Sequence, residues 1–193
     1  MRNDPALILA SASTRRRELL SLTGIPFTVD APEVDERCDL PPREAVAEIS
    51  RRKALAGAAA HPGCVVLAAD TLVAVDNTAL GKPHDEADAA RMLRLLSGRW
   101  HQVYTGVSVI SADGALHSEV DATDVRFADM PEEAITRYIA TREPADKAGA
   151  YAVQGIAGLW IEELRGSHTH VIGLPLALTR KLLEACGLHP LGD

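Results

Sequence analysis

The chain has 193 residues, of which 47% are hydrophobic and 24% are charged. This balance is typical of a globular protein with a buried core and excludes an intrinsically disordered chain. The formal net charge of −7 argues against a protein that holds nucleic acid through its phosphate backbone, since such binding needs a surplus of lysine and arginine.

The three cysteines, Cys38, Cys64 and Cys186, lie far apart and form no C-x-x-C pair. Neither a disulfide framework nor a structural zinc site is therefore indicated. The apolar stretch near the N-terminus is too short for a secretory signal, and no stretch approaches the roughly 18 apolar residues of a membrane-spanning helix. We expect a cytoplasmic protein that contacts no membrane.

Short apolar runs alternate with helical patterns in the first half of the chain. Ser13 and Asp85 stand where each caps a following helix, and Gly24 stands where the first helix ends. The pair Asp76-Asn77 has the composition of a turn. The predicted elements are strands 6–10, 27–31 and 64–69, a segment 72–75 that either continues the third strand or returns from it, and helices 14–23, 42–60 and 86–97.

Strand patterns are more frequent in the second half. Asp129 and Glu132 have the spacing of a capping box, and Gly187 stands after the closing helix. The predicted elements are strands 101–110, 115–120, 123–127 and 158–164, a hairpin turn at 112–114, and helices from 129–132 to about 140 and over 174–185.

Strands and helices mix along the whole chain without a repeat or a linker. We therefore expect one α/β domain over residues 1–193, in which a central mixed sheet is flanked by helices and two lobes surround a cleft. The order of the strands stays open.

A loop rich in serine and arginine follows the first predicted strand. Ser11 and Ser13 add hydroxyl groups to the free N–H groups of a helix N-terminus, and Arg15, Arg16 and Arg17 add forked donors that suit phosphate oxygens. Three arginines in the first turn oppose the helix dipole, and an anionic ligand would remove that conflict. The alternative is a solvated basic patch.

Lys53 lies on the apolar stripe of the second predicted helix, together with Val46, Ile49 and Ala56. A lysine in such a position either extends its ammonium group to the edge of the core or binds an anion in a cleft. Both interpretations stay open.

Asp70 directly follows the apolar run 64–69. A carboxylate at the carboxyl end of a buried strand is well placed for catalysis or metal binding. The alternative is that Asp70 caps a turn through Thr71. Glu36 offers a second carboxylate, although an acidic loop such as 33–36 is commonly just solvated.

Two weaker candidates occur later in the chain. Lys82 lies in the stiff turn Gly81-Lys82-Pro83, and Gln154 precedes Gly155. An amide donates and accepts at once, which suits the edge of a nucleobase. Taken together, the candidates supply cations for phosphates, carboxylates for a metal and an amide for a base, which is the inventory of a triphosphate site.

Other motifs are weak or absent. His168 and His170 alternate as on one strand face, but no third ligand stands at a suitable spacing, so no zinc site is indicated there. The sequence has no P-loop, no G-x-G-x-x-G and no G-x-S-x-G.

The chain resembles the Maf proteins in a series of motifs that keep the family's order along nearly the whole sequence. The opening motif, Leu9–Arg16 followed by Glu18–Leu20, and the block from Asp146 to Gly155 are the most specific. The other matching blocks are 32–36, 52–54, 69–71, 81–83 and 171–175.

The resemblance implies an α/β fold related to the ITPase-like pyrophosphatases and the hydrolysis of nucleoside triphosphates to monophosphate and pyrophosphate. It also implies a divalent metal, Mg²⁺ or Mn²⁺, and a homodimer. Asp70 matches the family's proton acceptor, and Glu36 and Asp70 are expected to bind or orient the metal. The positions that match the phosphate- and metal-handling residues of the family are Ser11, Arg16, Glu36, Lys53 and Lys82.

Three positions of the resemblance separate the subfamilies. Arg15, Thr71 and Gln154 match the type that acts on dTTP and UTP, whereas the 7-methyl-GTP type typically has tryptophan, glutamine and glutamate there. The chain departs from the family pattern at Thr14, where proline is usual, and at His168, where tyrosine is common.

Two alternatives to a dTTP/UTP pyrophosphatase stay open. One is a housecleaning enzyme of the same fold that hydrolyses purine or modified nucleotides. The other is a non-catalytic regulator of septum formation or a nucleic-acid-binding module, against which stand the net charge of −7 and an aromatic content of 4%.

Overall fold

The computed structural model of the chain describes residues 6–191. Within this range the strands form one seven-stranded sheet, in the order β2-β1-β3-β5-β6-β7, with β4 paired to the end of β3. The strands are β1 (Leu7–Leu9), β2 (Phe27–Val29), β3 (Val65–Val75), β4 (Thr78–Leu80), β5 (Trp100–Ile110), β6 (Leu116–Phe127) and β7 (Ile161–Arg165).

The sheet is mixed. β1 pairs in parallel with β2 and β3, whereas β3, β5, β6 and β7 pair antiparallel with one another in turn. The predicted α/β class with a central mixed sheet is therefore confirmed.

Six α-helices flank the sheet in the described part of the chain. They are α1 (Thr14–Ser21), α2 (Pro42–Ala60), α3 (Glu86–Leu96), α4 (Glu132–Ala140), α5 (His168–Ile172) and α6 (Leu176–Ala185). Ser13 and Asp85 cap α1 and α3 as predicted, since each side chain accepts a hydrogen bond from a backbone N–H in the first turn. None of the helices between residues 6 and 191 is long and apolar enough to cross a membrane.

One edge of β3 is open over a short stretch. β1 pairs with β3 as far as Leu67, and β4 pairs with β3 only from Val73 onward. Between them, no strand in the described range pairs with residues 70–72 on that edge. A cleft opens at this gap.

Three hydrophobic cores include residues of β3, and two of them contain residues on either side of the gap. Leu67 packs with Leu20 of α1 and Leu183 of α6. Val73 belongs to a second core that includes Leu93 of α3. Because β3 contributes to both cores, the two predicted lobes share one continuous sheet.

The long helix α2 packs against β3 and β5. Gly106 of β5 allows a close approach, because a Cβ atom there would lie 2.3 Å from the carbonyl oxygen of Val46. This packing places Lys53 of α2 beside the middle of β3.

Several predicted boundaries are wrong. The segments 115–120 and 123–127 form one strand, β6, because its pairing with β5 runs unbroken from Trp100↔Arg126 to Ile110↔Leu116. The segment 72–75 continues β3, and β4 was not predicted. The strand predicted over 158–164 begins only at Ile161, after a 3₁₀ helix.

Two local interpretations are also wrong. The capping box at Asp129 does not form, because Pro131 occupies the capping position of α4 and supplies no side-chain acceptor. His168 and His170 do not share a strand face, because Ser167 caps a short helix, α5, that begins at His168.

Candidate active site

A cleft of about 560 Å³ opens at the gap beside β3. The predicted site residues that line it are Ser11, Arg15, Arg16, Glu36, Lys53, Asp70, Thr71, Lys82 and Gln154. The structure thus brings these nine residues to one place. Arg17, which the sequence also offers as a phosphate donor, is exposed and does not line the cleft. The role of each residue stays a prediction.

Arg16 is fixed by hydrogen bonds from all three of its side-chain nitrogens. Nε donates to the carbonyl oxygen of Gly173 at 2.9 Å, Nη1 to Oγ of Ser11 at 3.3 Å, and Nη2 to Oγ1 of Thr71 at 3.1 Å. The hydroxyl of Thr71 also lies 2.9 Å from that of Thr105. Arg16 thereby joins α1, β3 and the end of α5 at the cleft.

Burial lowers the pKa of the Arg16 guanidinium from its ordinary value, and the neighbouring charge of Asp70 opposes that shift. An arginine remains protonated at neutral pH even after a shift of this kind. The cleft therefore holds a fixed, partly desolvated cation that favours an anionic ligand.

Lys53 joins the two carboxylates of the cleft. Its Nζ lies 2.8 Å from Oδ1 of Asp70 and 2.8 Å from Oε1 of Glu36. The side chains of Lys53 and Asp70 are only 11% and 12% exposed, whereas that of Glu36 is 61% exposed. Burial against Asp70 excludes the alternative in which Lys53 extends to solvent at the edge of the core.

Asp70 lies in the middle of β3 and not at the end of a strand. Asp70 pairs with Gly106 of β5 on one edge of β3, and on the other edge of β3 it faces the gap. The interpretation of Asp70 as a cap of a turn is therefore wrong. The Asp70 carboxylate reaches the cleft because the neighbouring strand β1 ends before it, although β3 itself continues.

Arg52, next to Lys53, anchors the loop that carries Glu36. Its Nη1 donates to the carbonyl oxygens of Asp35 at 3.1 Å and Arg37 at 3.0 Å, and its Nε donates to Glu48 at 2.9 Å. Two adjacent residues of α2 thus hold the backbone and the side chain of the same loop.

Arg15 and Lys147 share a carboxylate. Asp146 lies 3.9 Å from Nη1 of Arg15 and forms an ion pair with Lys147. The Lys147 side chain is 17% exposed and lines the cleft. Lys147 was not among the predicted site residues, although it belongs to one of the two most specific blocks of the family resemblance.

Lys82 and Gln154 are exposed at the margin of the cleft. A hydrogen bond holds the turn before Lys82 in place, because the backbone N–H of Gly149 donates to the carbonyl oxygen of Gly81 at 3.0 Å. Gly149 has φ +68°, and a Cβ atom there would lie 2.9 Å from the side chain of Val73, so glycine is required.

The cleft is locally basic in an acidic protein. Five cationic side chains line it against three carboxylates, a surplus of two, while the whole chain carries −7. The cations are Arg15, Arg16, Lys53, Lys82 and Lys147. Placed cations of this kind, without a general basic field, suit a small polyanion such as a triphosphate.

Two histidines are buried away from the cleft surface. The Nε2 atom of His101 lies 2.8 Å from the hydroxyl of Tyr151, and Nδ1 of His170 lies 2.7 Å from the hydroxyl of Thr123. Desolvation lowers the pKa of His101 to about 3 and that of His170 to about 4, with Asp121 opposing the second shift. Both imidazoles are therefore neutral structural groups at neutral pH.

Two curated relatives are similar over nearly their full length. A protein of Anaeromyxobacter dehalogenans named dTTP/UTP pyrophosphatase is 50% identical over 188 residues, which cover 95% of each chain. A protein of the same name from Deinococcus radiodurans is 45% identical over 189 residues, covering 97% of this chain and 96% of the relative.

A solved structure supports the fold. The Ham1 protein of Staphylococcus aureus matches with a TM-score of 0.54 and 16% identity, covering 93% of this chain and 98% of that chain. The family described as "Maf-like protein" matches residues 6–186. With this match and relatives of 45% and 50% identity, the chain belongs to the Maf-like protein family.

Proposed function

We propose that this chain hydrolyses dTTP and UTP to the nucleoside monophosphate and pyrophosphate. Relatives at 45% and 50% identity carry the name dTTP/UTP pyrophosphatase. The observation that carries the proposal is the cluster in which Lys53 joins Glu36 and Asp70, in the same cleft as the serine- and arginine-rich loop.

The cationic side chains hold the triphosphate in this proposal. A guanidinium has five N–H donors. The hydrogen bonds to Ser11, Thr71 and Gly173 use three of those of Arg16, so two remain for phosphate oxygens. Because these bonds fix the group before substrate binds, little reorganisation is needed when charge develops on the phosphates.

Asp70 is the proposed general base. It accepts a proton from a water molecule whose oxygen forms a bond to the α-phosphorus. The bond from the α-phosphorus to the bridging oxygen of the β-phosphate breaks, and pyrophosphate leaves with the bonding electron pair. Lys53 orients the Asp70 carboxylate through the 2.8 Å contact, and the cations that hold the leaving pyrophosphate stabilise its charge.

In this proposal Glu36 and Asp70 are the two carboxylates that would hold a divalent cation. Glu36 and Asp70 already converge on one positive group, the ammonium of Lys53. No set of three or more His, Cys, Asp or Glu side chains converges anywhere in residues 6–191, so water and substrate oxygens would complete the coordination, as is common for Mg²⁺. When bound, Mg²⁺ or Mn²⁺ supplies charge neutralisation for the phosphates.

Base selection is assigned to Arg15, Thr71 and Gln154. All three line the cleft, and Gln154 carries the amide that both donates and accepts. The single-domain organisation, the homodimer and the cytoplasmic location stay predictions.

The test is to incubate the purified protein with dTTP, UTP, CTP, GTP, ATP and 7-methyl-GTP, with Mg²⁺ or Mn²⁺, and to identify the products. Monophosphate and pyrophosphate, formed fastest from dTTP and UTP, are expected. Release of orthophosphate would refute the reaction, and preference for another nucleotide would refute the substrate. No turnover with either metal would refute the enzyme itself.

A further inference from the structure

The carboxylate of Glu143 connects the segment after Gln154 to helix α4 through hydrogen bonds. Its Oε1 accepts a hydrogen bond from the hydroxyl of Tyr138 at 2.8 Å. Its carboxylate also accepts from the backbone N–H groups of Ile156 at 3.0 Å and Ala157 at 3.4 Å. These two N–H groups begin the 3₁₀ helix Ile156–Trp160, so the carboxylate caps the element that directly follows Gln154 and Gly155.

Gly155 leaves the space that this carboxylate occupies. A Cβ atom on Gly155 would lie 2.3 to 2.4 Å from the carboxylate atoms of Glu143. The φ of Gly155 is −106°, which other residues adopt, so a side chain there would displace the Glu143 carboxylate without straining the backbone. The backbone next to Gln154 and the Glu143 side chain are therefore fitted to each other.

Tyr138 fixes the other side of the contact. Tyr138 is 1% exposed and belongs to the core that contains Val73 and Leu93. Burial and the hydrogen bond to Glu143 both raise the pKa of the tyrosine hydroxyl, which keeps it a donor to the carboxylate. Gln154, which is exposed, thus lies on a backbone held to the core through Glu143.

The same short turn also reaches Arg15 at the cleft. Glu143 begins the 3₁₀ helix Glu143–Asp146, and Asp146 at its other end pairs with Arg15 and Lys147. One turn of four residues therefore contacts both the segment after Gln154 and the side chain of Arg15.

We propose that Glu143 is a positioning residue for nucleobase selection, which acts by holding the backbone of Gln154 at the cleft. The inference rests on the proposed function, in which Gln154 contacts the base. Glu143 touches neither the reacting phosphates nor Asp70, so its loss changes which nucleotide binds and leaves the chemical step nearly unchanged.

The first test is Glu143→Gln, which keeps the shape but replaces one acceptor oxygen by an NH₂ group that cannot accept from a backbone N–H. We expect KM for UTP and dTTP to rise by roughly tenfold, the usual effect of losing one hydrogen bond to a charged group, with a kcat within about twofold and a reduced preference for UTP over CTP. The matched control is Glu133→Gln on α4, whose side chain is 86% exposed and pairs with Arg137.

The second test is a double-mutant cycle. Gly155→Ala displaces the carboxylate and should reproduce the selectivity loss of Glu143→Gln. In a Glu143→Ala background there is no carboxylate for the added methyl group to displace. Gly155→Ala should therefore change the nucleotide selectivity of that variant little further. Equal effects of Gly155→Ala in both backgrounds would overturn the fitted contact.

Amide hydrogen exchange at Ile156 and Ala157 gives a readout that needs no turnover. Faster exchange at these two amides in Glu143→Gln is expected, with unchanged exchange in Glu133→Gln. Unchanged exchange, or an equal fall of kcat for all nucleotides, would overturn the inference. Failure of the wild-type protein to hydrolyse dTTP and UTP would instead refute the proposed function, and the exchange experiment would still decide whether Glu143 holds the segment.

Discussion

The Nζ atom of Lys53 lies 2.8 Å from Oδ1 of Asp70, although one residue belongs to a helix and the other to the centre of the sheet. Both side chains are nearly buried, and Lys53 keeps Glu36 as a second partner at the same distance. Removing one member of a buried ion pair leaves an uncompensated charge, and this is costly unless another partner is present. Glu36 is that partner when Asp70 is changed.

Asp70→Asn should abolish the general base while keeping the fold. The amide has nearly the same shape, and Glu36 still balances the charge of Lys53. We expect kcat for dTTP to fall by roughly 10²–10⁴-fold, the usual contribution of a general base, with an unchanged circular dichroism spectrum. Asp76→Asn, at an exposed position just after β3, is the control. Retention of most activity in Asp70→Asn would remove Asp70 from the mechanism.

Long periodic patterns predict much of the fold and one of the site residues. The apolar stripe through Val46 and Ile49 predicts α2 and places Lys53 on its apolar face, and the structure confirms both. The signal is strong because a helix of 19 residues repeats its apolar face several times. Capping by Ser13 and Asp85 is predictable for a similar reason, because the partner N–H groups lie within one turn.

Features set by distant pairing are not predictable from local patterns. β4 has three residues, Thr78–Leu80, and is a strand only because it pairs with β3. β3 continues through Asp70 because β5 pairs with it beyond the end of the apolar run. The contacts of Arg52 with the Glu36 loop join residues 15 and 17 positions apart, and no hydrophobic periodicity of the sequence predicts them.

Arg52→Ala should weaken activity through the Glu36 loop. The substitution removes two hydrogen bonds to the backbone on either side of Glu36, whose side chain is 61% exposed and has few other constraints. We expect activity at limiting Mg²⁺ to fall by roughly 10–100-fold, the usual effect of losing a residue that orients a ligand. Steady-state rates over a range of Mg²⁺ concentrations measure the effect.

The control for this prediction is the neighbouring residue. Arg51 also pairs with Glu48, but its guanidinium is not bonded to the carbonyl oxygens of the Glu36 loop. Arg51→Ala should therefore leave the Mg²⁺ dependence unchanged. An equal effect of both substitutions would show that the charge of the helix surface matters and that the loop contact does not.

Gly106→Ala should destabilise the protein. The added methyl group would lie 2.3 Å from the carbonyl oxygen of Val46, and this backbone atom cannot move without displacing α2 from the sheet. We expect the free energy of unfolding to fall by about 1–3 kcal/mol, as for other overpacked sites, with a loss of activity because Lys53 moves with the helix. Urea denaturation measures the change. Gly81→Ala adds its methyl group where no atom lies within 4 Å, and unfolding should be nearly unaffected.

His101 should make the folded state sensitive to acid. Its imidazole is fully buried, edge-on to Phe127 and Tyr151, and its Nδ1 lacks a hydrogen-bond partner among residues 6–191. Desolvation lowers the pKa of His101 from 6.5 to about 3 in the folded protein. Above pH 6.5 the group is neutral in both states and adds no pH dependence. Between pH 6.5 and 3 the imidazole of His101 binds a proton in the unfolded chain but not in the folded chain. The free energy of unfolding therefore falls as the pH falls.

The size of this effect is roughly 1 kcal/mol per pH unit within that window. Carboxylates contribute to acid sensitivity as well, so the informative quantity is the difference between variants. From pH 7.5 to 5.5, His101→Gln should lose about 1 kcal/mol less of its free energy of unfolding than the wild type, whatever its stability at pH 7.5. His189→Gln, at an exposed position, should lose as much as the wild type. If His101→Gln lost as much as the wild type, protonation of the buried imidazole would not be what destabilises the fold in acid.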